Sequence, residues 1–163
     1  MTLKSLHHRP RWRIAAALVL ALLGQAAWAD DEGRGPRLPP LPKYLQECGS
    51  CHLAFPSRLL PAASWLQLMN KLPRHFGTDA SLDANTTREI GAWLAANAGS
   101  GKRAAILPPD NRITRAAWFE REHRKVGAEV WQRASIKNPS NCAACHGGAK
   151  QGRFSEHDIR IPG

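Results

Sequence analysis

The chain has 163 residues, with 23 Lys and Arg against 13 Asp and Glu, a formal charge of +10, 7 His and 4 Cys. That length allows one domain or two very small ones, and no stretch supplies the ~20 consecutive apolar residues of a membrane helix. The cations are scattered without long basic runs, which argues against a nucleic-acid partner.

Residues 1–13 carry Lys4, Arg9, Arg11 and Arg13 and no acid, Ile14 to Gly24 is apolar, and Ala27-Trp28-Ala29 offers a small-x-small cleavage site. This pattern reads as a signal peptide over 1–29, cleaved after Ala29, and predicts an exported, periplasmic protein. Cleavage removes four cations and no acid, leaving 134 residues at +6. Residues 30–40, rich in Pro and Gly, read as an extended arm. A first unit spans 41–99 and opens with a short helix on which Tyr44, Leu45 and Cys48 share a face. A second helix from about Ala62 to Leu72 is expected to bury Trp65, Leu66, Leu68, Met69 and Leu72, and Pro73 ends it. The third, from Asp83 or Thr86 to Ala98, carries a candidate capping box in Thr86-x-x-Glu89, an apolar face of Ile90, Trp93 and Leu94, and Gly99 as its stop.

Residues 100–113, with Gly101, Pro108 and Pro109, read as a linker. The second unit, 114–163, begins with a helix from Thr114 to Val126 that has Thr114 as N-cap and Ala116, Phe119, His123 and Val126 on one stripe. Ser140 is the expected cap of a later short helix. The fold class is therefore mainly α, two small units with much irregular loop.

All four cysteines fall in two copies of one pentapeptide: Cys48-Gly49-Ser50-Cys51-His52 and Cys142-Ala143-Ala144-Cys145-His146. Cys-x-x-Cys-His is the attachment sequence of c-type haem. Two thiols one helical turn apart match the two vinyl groups on one porphyrin edge, and the next side chain reaches iron. A single Cys₄ zinc site is a rival, although ninety residues between the pairs is long for one and zinc needs no His after each. Redox dithiols would expect a βαβ context that is absent, and disulfides within such short loops would stabilise little. Two covalent haem c groups are the expectation, with His52 and His146 as proximal ligands. A 50-residue second unit cannot sustain a core alone, so haem is expected to be part of it. For a chain of this size the two porphyrin edges should lie within roughly 15 Å.

Two axial positions remain, for which His75, His123, His157 and Met69 are candidates. His75 follows Pro73 on a constrained turn, 23 residues after His52. His123 sits on the apolar stripe of a charged helix, 23 residues before His146. Met69 lies at helical spacing among apolar residues and reads as core. His157 would face Ile159 and Ile161 in an extended tail, but the carboxylates of Glu156 and Asp158 favour its charged, non-ligating form.

The chain resembles the small exported dihaem cytochromes c known as DHC. The similar stretches are Glu47 to Pro56, Leu59 to Trp65, His75-Phe76-Gly77, Trp118-Phe119 with His123, Asn141 to His146, and Ile159 to Pro162. The resemblance implies two bis-histidine, low-spin haems in a mostly helical chain, with His75 completing the first and His123 the second. It also implies electron transfer in the periplasm, from a membrane cytochrome b to a soluble monohaem cytochrome.

The function expected is an electron carrier rather than an enzyme. Its rival is an open-haem enzyme or gas-binding protein, peroxidase-like or binding nitric oxide or oxygen. Lys71, Arg74, Lys102, Arg103, Arg121, Arg124 and Lys125 are candidates for steering a partner.

Overall fold

The structure is a computed structural model that describes residues 39–163, which form one compact unit. Residues 1–29, the expected signal peptide, and nearly all of the expected arm lie outside the described residues. Five α-helices are described: α1 Pro42–Gly49, α2 Ala62–Met69, α3 Ala84–Ala96, α4 Ala117–Glu122 and α5 Ala128–Trp131. Short 3₁₀ turns join them, and isolated bridges stand in place of strands among the described residues. The mainly helical, loop-rich fold is the one the sequence predicts.

The core belongs to the first half. Tyr44 of α1, Trp65 and Met69 of α2, and Ile90 and Leu94 of α3 pack with Leu60 and Leu72 in one cluster. The i, i+4 spacing of Trp65 and Met69, and of Ile90 and Leu94, puts each pair on one helix face. Gly91 sits between the α3 pair, and Met69 Cγ lies 3.6 Å from where its Cβ would be, so the glycine admits the methionine. Leu66 departs from the expectation: it is 46% exposed, on the outer side of its helix.

Three local expectations are corrected. α2 ends at Met69, not Leu72, because Pro73 has no N–H to continue the ladder, and Leu72–Arg74 tightens into a 3₁₀ turn. The cap of α3 is Asp83, whose Oδ1 accepts from the amides of Asn85 (2.9 Å) and Thr86 (3.0 Å). Glu89 pairs with Lys43 of α1 rather than closing a capping box. Gly99 lies past the end of α3, where its amide donates to Leu60 O (2.8 Å) and a Cβ would meet Arg58 O at 2.4 Å. It serves close backbone approach rather than helix termination.

The second half is built differently. The helix expected over Thr114 to Val126 is a six-residue α4 preceded by a 3₁₀ turn at Ile113–Arg115, and Thr114 does not cap it. Ser140 is not a cap either: Asn138 Oδ1 accepts its amide (2.9 Å), and the motif that follows is a 3₁₀ turn, Cys142–Ala144. Phe119 and Ile136 are the large buried side chains here. Residues 100–113 are folded onto the first half, with Asn111 Nδ2 donating to Gln67 Oε1 of α2 (2.9 Å).

Candidate functional site

α1 delivers the first pentapeptide. Pro42 presets its first turn, Cys48 lies in its last, and Cys51 and His52 follow just beyond. The buried Tyr44 hydroxyl donates to Phe55 O (2.7 Å), tying the chain before the motif to the chain after it. His52 stacks on Phe55, with centroids 5.2 Å apart, and its Nδ1 donates to Leu53 O (2.7 Å). His75 leaves the Leu72–Arg74 turn onto a backbone that reverses through Phe76 (φ 50°) and Gly77 (φ 96°). That reversal turns its imidazole toward His52: the two rings are 6.1 Å apart and 16° from parallel.

The second pentapeptide repeats the arrangement with other parts. Cys142–Ala144 forms one 3₁₀ turn, and the His146 amide donates to Cys142 O (2.9 Å). The C-terminal segment crosses it, with Arg160 N donating to Cys145 O (2.9 Å), and Phe154 packs 5.3 Å from the His146 ring. His123 ends α4, stacked on Phe119 at 4.0 Å, with its Nδ1 donating to Phe119 O (2.9 Å). Trp131 stands 5.8 Å away. The His123 and His146 rings are 6.2 Å apart and 75° from parallel.

His157 meets neither pair. It is exposed in the Glu156–Asp158 turn, and its amide donates to Ser155 Oγ (3.3 Å). Met69 is buried in the α2–α3 core. Sequence reasoning missed Phe154, whose only signal is its being the one aromatic in a polar tail.

These residues fit haem iron. Two imidazoles trans on one iron, with bonds of about 2 Å and about 1.1 Å from nitrogen to ring centre, place their centroids about 6.2 Å apart. Both pairs have that separation. The carbonyl bonds of His52 and His123 fix Nδ1 as the protonated nitrogen and leave Nε2 its lone pair. Burial, then His52 and Arg112, lowers the pKa of His75, and burial, then His123, lowers that of His146, so both favour the neutral, ligating form. A cavity of about 550 Å3 is lined by Cys51 and His52 from the first motif and by Cys142 and Ala143 from the second. The two motifs therefore border one space.

The rival cysteine chemistries fit less well. Among the described residues no three His, Cys, Asp or Glu gather as a metal site, so the four thiols do not form one tetrahedral centre. Burial, with lesser contributions from Glu47 and Cys51, pushes the Cys48 thiol up to about 11, and burial raises Cys142 and Cys145 as well. A redox dithiol needs the opposite shift, toward thiolate.

The family model for dihaem cytochrome c matches residues 44–154, from the core tyrosine of α1 to the phenylalanine beside His146. This chain belongs to the dihaem cytochrome c family. The cytochrome is 42% identical to DHC purified from Rhodobacter sphaeroides, over 72% of this chain and 99% of that one, with a TM-score of 0.63. It is 35% identical to the diheme cytochrome type c of Shewanella baltica OS155, over 77% and 96% of the two chains, with a TM-score of 0.68. A search of curated proteins found no match. Membership makes the cytochrome a haem-binding electron-transfer protein with two haem c groups. The two Cys-x-x-Cys pairs have the form that attachment of those groups requires.

Proposed function

We propose that this cytochrome is an exported electron carrier with two bis-histidine haems. Cys48 and Cys51 bind the first haem, and His52 and His75 hold its iron. Cys142 and Cys145 bind the second, and His146 and His123 hold its iron. The observation that carries this reading is the pair of imidazole separations, 6.1 and 6.2 Å. His157, exposed and without a ring contact to either pair, takes no part.

Bound haem supplies a one-electron iron couple. The polypeptide decides what that couple can do. Two imidazoles on each iron leave no position for a substrate, which favours outer-sphere transfer over catalysis or gas binding. Ligation by imidazole instead of thioether gives lower potentials than a His/Met site. Phe55, Phe119 and Phe154 pack on the ligand rings and keep them in place.

Residues 1–29 act as the export signal, cleaved after Ala29, and haem attachment follows in the periplasm. Among the described residues no helix is long and apolar enough to cross a membrane. A soluble monohaem cytochrome is the proposed electron acceptor and a membrane cytochrome b the proposed donor, both on the strength of the family likeness.

The test is the visible spectrum of the dithionite-reduced holoprotein before and after carbon monoxide. Sharp low-spin bands that do not change are expected. A shifted Soret band would mean an open iron and would return the lead to an enzyme or gas-binding protein.

A further inference from the structure

Lys71 and Arg74 flank the turn that carries His75, and Arg112 reaches the same place from the segment before α4. The three cations line a cavity of about 300 Å3 together with His75, Phe76 and Asp110. All three are exposed, and among the described residues none is paired with a carboxylate. Asp110, the one acid in the lining, is drawn to Arg115 instead, at 3.3 Å. The Arg112 guanidinium lies 4.2 Å over the Phe76 ring. Phe76 itself is 44% exposed and held at φ 50°, in the left-handed region that aromatic residues rarely adopt.

The cations near the other ligand pair are differently engaged. Arg121 bonds to Glu122 at 3.1 Å, and Arg124 donates to Arg121 O at 3.0 Å. Arg124 and Lys125, next to His123, are exposed and without a carboxylate partner among the described residues. What sets the first site apart is that its unpaired cations share one cavity with a histidine and an exposed aromatic.

We propose that the cationic pocket around His75, formed by Lys71, Arg74 and Arg112 with Phe76 as its apolar rim, is where a redox protein with an acidic surface docks and exchanges electrons. This rests on the carrier reading above. Outer-sphere transfer needs close approach to a ligand or porphyrin edge, and His75 borders this cavity. Unpaired cations around the approach attract acidic surfaces and repel basic ones, and an exposed aromatic beside them supplies a desolvated contact.

The experiment uses two one-electron oxidants of opposite charge, the hexacyanoferrate(III) trianion and the tris(phenanthroline)cobalt(III) trication. Each takes one electron from the reduced holoprotein and forms no bond to it. Stopped-flow rates and midpoint potentials are measured for the wild type, K71E/R74E and R121E/R124E. K71E/R74E is expected to slow hexacyanoferrate on the order of fivefold and to accelerate the cobalt complex, with the contrast fading in added salt. R121E/R124E should change either rate by less than about twofold. Equal effects from the two variants would overturn the assignment to the first site. Unchanged rates with a shifted midpoint potential would overturn it too, because the pocket would then serve the propionates of the haem. Carbon monoxide binding to the wild type would instead defeat the carrier reading, which keeps the two failures apart.

Discussion

At the scale of single residues, the two histidine pairs share a separation and differ in twist. The His52 and His75 planes are 16° apart, and those of His123 and His146 are 75° apart. Imidazole planes set the directions of π donation into the iron d orbitals. Parallel planes reinforce one direction and split the orbitals, while crossed planes leave them nearly degenerate. The oxidised protein should therefore give two distinct low-spin electron paramagnetic resonance signals, a rhombic one from the first site and a strongly anisotropic one from the second. Two identical signals would count against this geometry. Asp83 makes a second residue-scale case. Hydrogen bonds from Thr86, and then from the Asn85 amide, hold its carboxyl below the usual value. A depressed carboxylate stabilises the fold fully above its unfolded pKa and loses that contribution as pH falls through the folded value, below about pH 4. Thermal melts should show Asp83→Ala less stable than the wild type at neutral pH and the gap closing in acid.

Among the elements, α2 and α3 form the best-packed contact, and Met69 fills it against Gly91. Met69→Ala should cost about 2–5 kcal/mol in chemical denaturation while leaving the visible spectrum unchanged. A lost low-spin band would make the methionine a ligand. Gly99→Ala should cost about 1–3 kcal/mol, because its new methyl would press on Arg58 O, a backbone atom that cannot rotate away. These elements also mark how far the sequence could be read. Periodicity located α2 and α3 and their inward faces, since Trp65, Met69, Ile90 and Leu94 repeat at helical spacing over a full stripe. It failed for α4, where Ala116, Phe119, His123 and Val126 suggest one long helix. The second half has too few apolar partners to hold such a helix together, and its chain turns at His123. The pentapeptides stood out because covalent chemistry fixes their spacing. His75 was harder to read, since its direction depends on positive φ at Phe76 and Gly77, a property of the backbone that composition reveals only at the glycine.

For the molecule as a whole, the apolar cluster lies almost entirely before residue 99, while Phe119 and Ile136 are the large buried side chains of the second half. Phe119, Trp131 and Phe154 stand around the rings of His123 and His146, with Phe119 and Trp131 also 6.4 Å from each other. The haem-free chain should be largely unfolded by far-ultraviolet circular dichroism, with amides after residue 114 losing protection first in hydrogen exchange. Full native helix content without haem would refute this. What joins the halves includes one long-range bond, from Arg58 Nη2 to Gly152 O at 2.8 Å, between residues 94 apart in sequence. A bond of that reach carries a kinetic meaning. It cannot form until the segment after the second pentapeptide is in place, so it cannot guide the maturation of the first half. Closing so large a loop is slow unless its ends are already ordered. The clasp therefore belongs to the last step of assembly, when two finished halves meet.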